Sequence, residues 1–441
     1  VRDYRLLIFA YTTSALGNCL YQLTLPLLVL KLTGSALTTG AVYAVEFLPY
    51  LLFSLPGGVL ADRIDRRLML VVGDTASALL AVLLAVVVTV SAHTIWLIFV
   101  VAFLLASVNP IYHPAFQSYI PDVTPREKLP QCNSWLQTGD NAMSLIGPVI
   151  AGSAIGLLGY QATIYADAGT FMISAAAITL VRFRAGRRQQ DETDKRLAGL
   201  VSDVREAGAY IFRRNPVLLA GALMFAGTNF AIWLVSANFV FYLTHYRHLS
   251  PSLIGVVFGA QGVGAIVGSA IAASVIRRIP PGRAIVLCTG LAGATTATLI
   301  VFRGVPEITF IWGALAGLSA VNVVSWFSLR QQIVPGYLLG RVVATTRMLG
   351  FLTLPLGAVV AGLLQTTLNN IYLIIGLAAG IRLLMAILAS RSALGRAAVP
   401  PIGAVSDTPR PEVDVASQVD VASPVEVAPP VDAAVEQAGD S

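Results

Sequence analysis

Residues 56–74 read Pro-Gly-Gly-Val-Leu-Ala-Asp-Arg-Ile-Asp-Arg-Arg-Leu-Met-Leu-Val-Val-Gly-Asp, a short charged knot between two long apolar runs. Gly57 and Gly58 allow backbones to approach closely at the end of the first run, and Asp62, Arg63, Asp65, Arg66 and Arg67 crowd the tight turn that follows. A bilayer crossing needs roughly 20 apolar residues, and both flanking runs meet that length. A turn this rich in arginine belongs on the cytoplasmic side.

The rest of the chain repeats this pattern. Of its 441 residues, 56% are hydrophobic and only 12% charged, and the mean hydropathy of +0.76 lies far above that of a soluble domain. Twelve spans are predicted, at residues 6–30, 37–60, 68–90, 94–117, 133–158 and 161–182, then 216–243, 253–276, 283–303, 307–331, 342–366 and 370–390. They leave no room for a separate soluble catalytic domain. The run after Arg2 and Arg5 is too long for a signal peptide and lacks a small-residue cleavage site, so it reads as the first membrane helix.

With the N-terminus inside, only Lys31, Arg247 and Arg303 of the 29 Lys and Arg fall outside, and Arg347 and Arg382 fall within spans. This asymmetry predicts that both termini of this multi-pass protein are cytoplasmic, and the plasma membrane, the inner membrane of a bacterium, is its expected location. The formal charge of +6 combines two opposed regions, because residues 401–441 hold eight acids and one Arg, which leaves +13 on residues 1–400. The basic residues sit in loops between apolar spans, so the lipid surface is the expected partner and nucleic acid is not. Cys19, Cys132 and Cys288 suggest packing, and His245 and His248 are too few for a metal site, so no disulfide, metal or cofactor is expected.

Internal repeats divide the chain. Gly40 and Gly255 open equivalent helices, Arg66-Arg67 matches Arg277-Arg278, Tyr119-Ile120-Pro121 matches Ile333-Val334-Pro335, and Val149-Ile150-Ala151-Gly152 matches Val359-Val360-Ala361-Gly362. The expected organisation is an N-terminal six-helix bundle at 1–182, a basic cytoplasmic linker at 183–215 with an amphipathic stretch from Leu197 to Phe212, a C-terminal bundle at 216–390, and a disordered acidic cytoplasmic tail at 391–441, rich in Pro, Val and Ala.

The pattern Gly58-x-x-x-Asp62-Arg63-x-x-Arg66-Arg67 resembles the loop signature between helices 2 and 3 of the major facilitator superfamily, where the aspartate and arginines latch the two halves together. Asp65 replaces the second glycine of the usual pattern, a form that resembles the macrolide-exporter and enterobactin-exporter branch. Gly147-Pro148-x-x-x-Gly152 resembles the helix 5 packing signature of exporters, with Met143 and Ser134 in place of the upstream glycines. The Arg within helix 4 that many proton antiporters carry is absent. The resemblance implies an all-α membrane protein, with twelve transmembrane helices in two pseudo-symmetric six-helix bundles. It also implies a monomer that exports an amphipathic drug, macrolide or siderophore-like small molecule by alternating access, in exchange for protons. An importer or lysophospholipid flippase on the same fold is the alternative. An enzyme would need a nucleophile with its base, or a ligand set such as His-Glu-x-x-His, and neither arrangement is present, so no catalytic residues are assigned.

Polar residues recurring on one face of a membrane helix usually line a cavity. Ser14, Asn18 and Gln22 follow at four-residue spacing in span 1, and Asn109 and His113 in span 4. Asn229 and Trp233 do so in span 7, and Ser319, Asn322 and Trp326 in span 10. In the family these four helices surround the cavity, which outweighs an isolated interhelical hydrogen bond at each site. Tyr43, Glu46, Phe47 and Tyr50 share one face of span 2, where the Glu46 carboxyl is suited to carry a proton or meet a cationic substrate. Asp140 ranks second for proton coupling and Asp167 last, while Asp74 is expected to pair with the loop arginines. Between Glu206 and Asp407 the only acid is Glu307, so coupling through a carboxyl belongs to the N-terminal half. Arg347 is expected to snorkel to the cytoplasm, and nothing in the sequence accounts for Arg382.

Overall fold

The computed structural model describes residues 2–90, 95–181 and 208–396. Residues 397–441 of the acidic tail, most of the linker, and the side chains of Gly58, Asp62 and Arg63 lie outside the described residues; the tail's first residues, expected to be disordered, instead form a short helix at Ala393–Arg396 with Leu394 buried. Helices make up nearly all of what is described: α1 (Arg2–Thr33), α2 (Ala36–Arg63), α3 (Arg66–Val90), α4 (Ile95–Val123), α5 (129–158) and α6 (160–179), followed by α7 (Pro216–Phe241), α8 (Pro251–Arg278), α9 (Pro281–Val301), α10 (Val305–Ile333), α11 (Gly336–Leu368) and α12 (Ile371–Arg391). Together α5 and α6 form one run of 51 residues, which would be roughly 75 Å long if straight, more than twice a hydrocarbon core of about 30 Å. Gly159, at φ 83° and ψ 170°, breaks it. Only glycine enters that region readily, so the reversal needs this residue. With that run counted once, ten helices among the described residues are long and apolar enough to cross a membrane.

Local chemistry sets the helix starts. Asn215, Ser250 and Asn370 accept backbone N–H groups from the first turns of α7, α8 and α12, and Pro216 and Pro251 occupy first positions where no N–H is needed. Gly34 turns the chain between α1 and α2 at φ 62°, and Asn369 does so between α11 and α12 at φ 45°.

Alternating directions put the 64–65 loop at one end of the bundle and the α1–α2, α5–α6 and α7–α8 connections at the other. At that far end the two halves share one buried core, in which Leu20, Leu27, Ala151 and Ile155 join Leu234, Ile254, Ile311 and Ala358. At the loop end each half packs on its own, with Tyr4, Met69, Tyr119 and Ile178 in one cluster and Ile211, Leu218, Leu329 and Val342 in another.

Two glycine seams account for the shared core. A Cβ on Gly40 would stand 2.7 Å from the Ala358 carbonyl oxygen, and one on Gly362 would stand 2.7 Å from Leu37 Cα, so α2 and α11 nearly touch. In the other seam a Cβ on Gly152 would lie 2.9 Å from Gly255 Cα, and one on Gly255 would overlap the Pro148 carbonyl oxygen. Gly40 and Gly255 are repeat partners, as are Gly152 and Gly362, so the α2–α11 and α8–α5 seams are two copies of one contact. The basic residues predicted outside sit at this end over tyrosine rings: Lys31 over Tyr160 at 4.9 Å, Arg247 over Tyr242 at 5.6 Å, and Arg303 over Tyr372 at 4.9 Å.

Candidate functional site

The polar stripe of α1 and the aromatic face of α2 meet around a cavity of about 380 Å³ lined mostly by the N-terminal half. Tyr11, Ser14, Asn18 and Gln22 come from α1, Glu46, Phe47 and Tyr50 from α2, Asp74 from α3, Asn109, Tyr112 and His113 from α4, and Arg347 and Phe351 from α11. The structure thus gathers Asn18, Gln22, Glu46, Phe47, Asn109 and His113 around one space. Tyr43 sits a turn closer to the far end, where it and Phe47 make edge contacts with Trp233 of α7, ring centroids 5.5 and 4.6 Å apart. These three rings join the halves between the cavity and the sealed end.

Glu46 is set apart within this wall. Its Oε1 is buried with no hydrogen-bond partner, an expensive state for a carboxyl group and one usually kept for a purpose. Asp140 lines an adjoining recess with Asn133, Gln137, Tyr11 and His113, and the last two border both spaces. Asp167 is buried on α6 with neither oxygen bonded, and its Oδ1 would lie 2.7 Å from a Cβ on Gly17.

Asp74 departs from expectation. It is 2% exposed and accepts hydrogen bonds from Ser14 (3.2 Å), Tyr112 (3.3 Å) and Ser174 (2.5 Å) instead of pairing with loop arginines. Eight helical residues separate it from Arg66, about 12 Å of rise, so hydroxyls on α1, α4 and α6 are nearer. Arg66 instead meets Asp122 at 2.5 Å and the Ser118 carbonyl at 3.0 Å, while Arg67 donates to the Ile178 and Thr179 carbonyls at the end of α6. Both arginines therefore tie helix ends within the N-terminal half. Asp74→Ala would strand three hydroxyls, and we expect a loss of about 2–4 kcal/mol, read as a lower melting temperature in detergent. Asp74→Asn keeps an acceptor and should lose much less.

The C-terminal candidates divide. Asn229 packs against Gly350 of α11, its Nδ2 3.0 Å from where a Cβ would stand. Asn322 donates to Thr289 on α9 at 3.0 Å, and Trp326 is buried against Gly221 and stacks on Phe225 at 5.2 Å. The last two thus pack within their own half, away from the 380 Å³ space. Arg347, read from sequence as a snorkelling residue, borders the cavity together with Glu46. Tyr11 was also missed, although it extends the Ser14, Asn18, Gln22 stripe by one turn. Gly147 packs on Cys19 of α1, so the Gly147-Pro148-x-x-x-Gly152 segment touches α1 on one side and α8 on the other. Among the described residues no cluster of His, Cys, Asp or Glu could hold a metal ion.

The family model described as Major Facilitator Superfamily matches residues 7–246. The multidrug efflux pump Tap of Mycolicibacterium fortuitum is 29% identical over 366 residues, covering 81% of this chain and 88% of that protein. Macrolide efflux protein A of Streptococcus pyogenes is 24% identical, covering 79% and 86%. Among solved structures, a bacterial homologue of the iron transporter ferroportin in an inward-facing state superimposes with a TM-score of 0.67 at 17% identity, over 88% of this chain and 98% of that one. A bacterial homologue of the lysosomal transporter Spinster, also inward-facing, gives 0.67 at 13% identity, over 89% and 95%.

Proposed function

The chain belongs to the Major Facilitator Superfamily, and from that premise we propose that it is a secondary active transporter of the plasma membrane that exports amphipathic small molecules in exchange for protons. The observation that carries this reading is the buried Glu46 carboxyl, its Oε1 without a hydrogen-bond partner, in an aromatic-walled cavity that Arg347 also lines. Its likeness to two efflux proteins supports the direction of transport.

In this scheme Glu46 holds a proton until an amphipathic compound enters, releases it toward the cytoplasm, and regains one from outside as the compound leaves. Asn18, Gln22 and Asn109 offer hydrogen bonds in several directions, and Phe47 offers a ring face, a combination that accepts varied ligands. Asp140 relays protons through the recess shared with Tyr11 and His113.

With the 62–67 loop on the cytoplasmic side, the core shared at the far end makes this the inward-open state. Outward opening parts the Gly40–Gly362 and Gly152–Gly255 seams and brings the loop end together. Asp62 then meets the positive N-terminus of α11, a contact worth about 0.3–1 kcal/mol at an exposed site, with Arg63, Arg66 and Arg67 gating beside it. Cells lacking their own efflux pumps should accumulate several-fold less ethidium or erythromycin when they make this protein, and a protonophore should remove the difference. Unchanged accumulation with the protein present in the membrane would refute broad drug export.

A further inference from the structure

A second cavity, of about 510 Å³, lies wholly within the C-terminal half between α7, α8, α9, α10 and α12. Arg382 borders it from mid-α12 and is 4% exposed. Its Nη1 donates to the Ala292 carbonyl at 3.3 Å and to Thr296 Oγ1 at 2.8 Å, while its Nε is buried with no acceptor. On the same cavity Trp312, also 4% exposed, has a buried indole Nε1 with no acceptor. Guanidinium and indole can only donate. Two residues that line a space edged by Gln261, Ser269 and Ser319 thus each carry an orphaned donor, one of them on a permanently cationic group.

No carboxylate from this half answers them. Glu307 is its only acid before the tail, and it sits exposed in the first turn of α10. A cation buried at this depth without a counter-charge is costly, and an anion seated among donors would remove that cost. We propose that the Arg382 cavity binds one anionic group, either the carboxylate of an organic molecule or a free monovalent anion. The site stands on the C-terminal half alone and is independent of the cargo and direction of transport.

Binding to the native state raises the melting temperature, increasingly so once the ligand exceeds its dissociation constant. The full chain in nanodiscs of uncharged lipid would be heated with increasing sodium benzoate or sodium chloride, at ionic strength held constant with sodium sulfate and with benzamide as the neutral control. The wild-type protein should gain several degrees from an anion and nothing from benzamide. A gain from benzoate alone identifies an organic carboxylate, and a gain from chloride identifies a free anion. Arg382→Gln should abolish the gain or weaken the apparent affinity at least tenfold. Ser319→Leu, which fills the cavity from α10 and leaves Arg382 in place, should do the same and decides the matter even if Arg382→Gln does not accumulate. No anion-specific gain in the wild type, or an equal gain in the variants, overturns the proposal.

Discussion

Glu46→Gln is expected to cut export of ethidium or erythromycin at least tenfold, to the level of cells without the transporter, while the protein still reaches the membrane at normal abundance. Gln has nearly the same shape and retains a polar end, so the contacts of α2 with the cavity survive. What it loses is the ability to take up and release a proton. Because Oε1 has no hydrogen-bond partner to strand, the substitution should leave the melting temperature unchanged or slightly raised. Asp140→Asn removes only the relay and should cost several-fold less. Wild-type export by Glu46→Gln, with an unaltered response to protonophore, would remove Glu46 from the scheme.

The second large effect separates two kinds of glycine contact. A Cβ on Gly264 of α8 would overlap the carbonyl oxygen of Gly313 on α10, and one on Gly268 would overlap that of Gly317. Both helices belong to one half, so this contact persists whichever way the cavity faces. Gly264→Val should therefore cost at least about 1–3 kcal/mol in every state, seen as poor accumulation and a lower melting temperature. A Cβ on Gly255 overlaps the Pro148 carbonyl across the halves, a contact that the cycle must break. Gly255→Val should penalise only the inward-open state. The protein accumulates, transport falls more than tenfold, and a membrane-impermeant thiol reagent added outside reaches a cysteine placed at Gly156 more readily. Equal loss of folding in both variants would argue against a seam that opens.

Much of the fold was legible because bilayer thickness imposes a length on every apolar run. Gly34, Gly159 and Asn369 fall where the sequence puts breaks between spans, and the repeat pairing of Gly40 with Gly255 and Gly152 with Gly362 foreshadowed the two seams. The N-terminal part of the site was also legible, since Ser14, Asn18 and Gln22 lie on one stripe and Glu46 shares its face with aromatic rings. Spacing does not encode which way a stripe points. The same interval that turns Asn109 and His113 to the cavity turns Asn322 and Trp326 to α9 and Phe225. Asp74 could not be placed from its neighbours in sequence, because its partners Ser14 and Ser174 lie 60 and 100 residues away. Arg347 borders the cavity because α11 packs along α2, and no local feature of its own span announces this.

Proton-coupled export is tested most directly with purified protein in liposomes, with ethidium uptake followed after a pH difference is imposed across the bilayer. In vesicles whose cytoplasmic face is outside, an acidic interior should drive ethidium inward at a rate that collapses with protonophore, falls to the empty-liposome rate in Glu46→Gln, and is matched by proton movement outward. Uptake that is indifferent to the pH difference, or that survives in Glu46→Gln, would contradict the coupling of export to protons through this cavity.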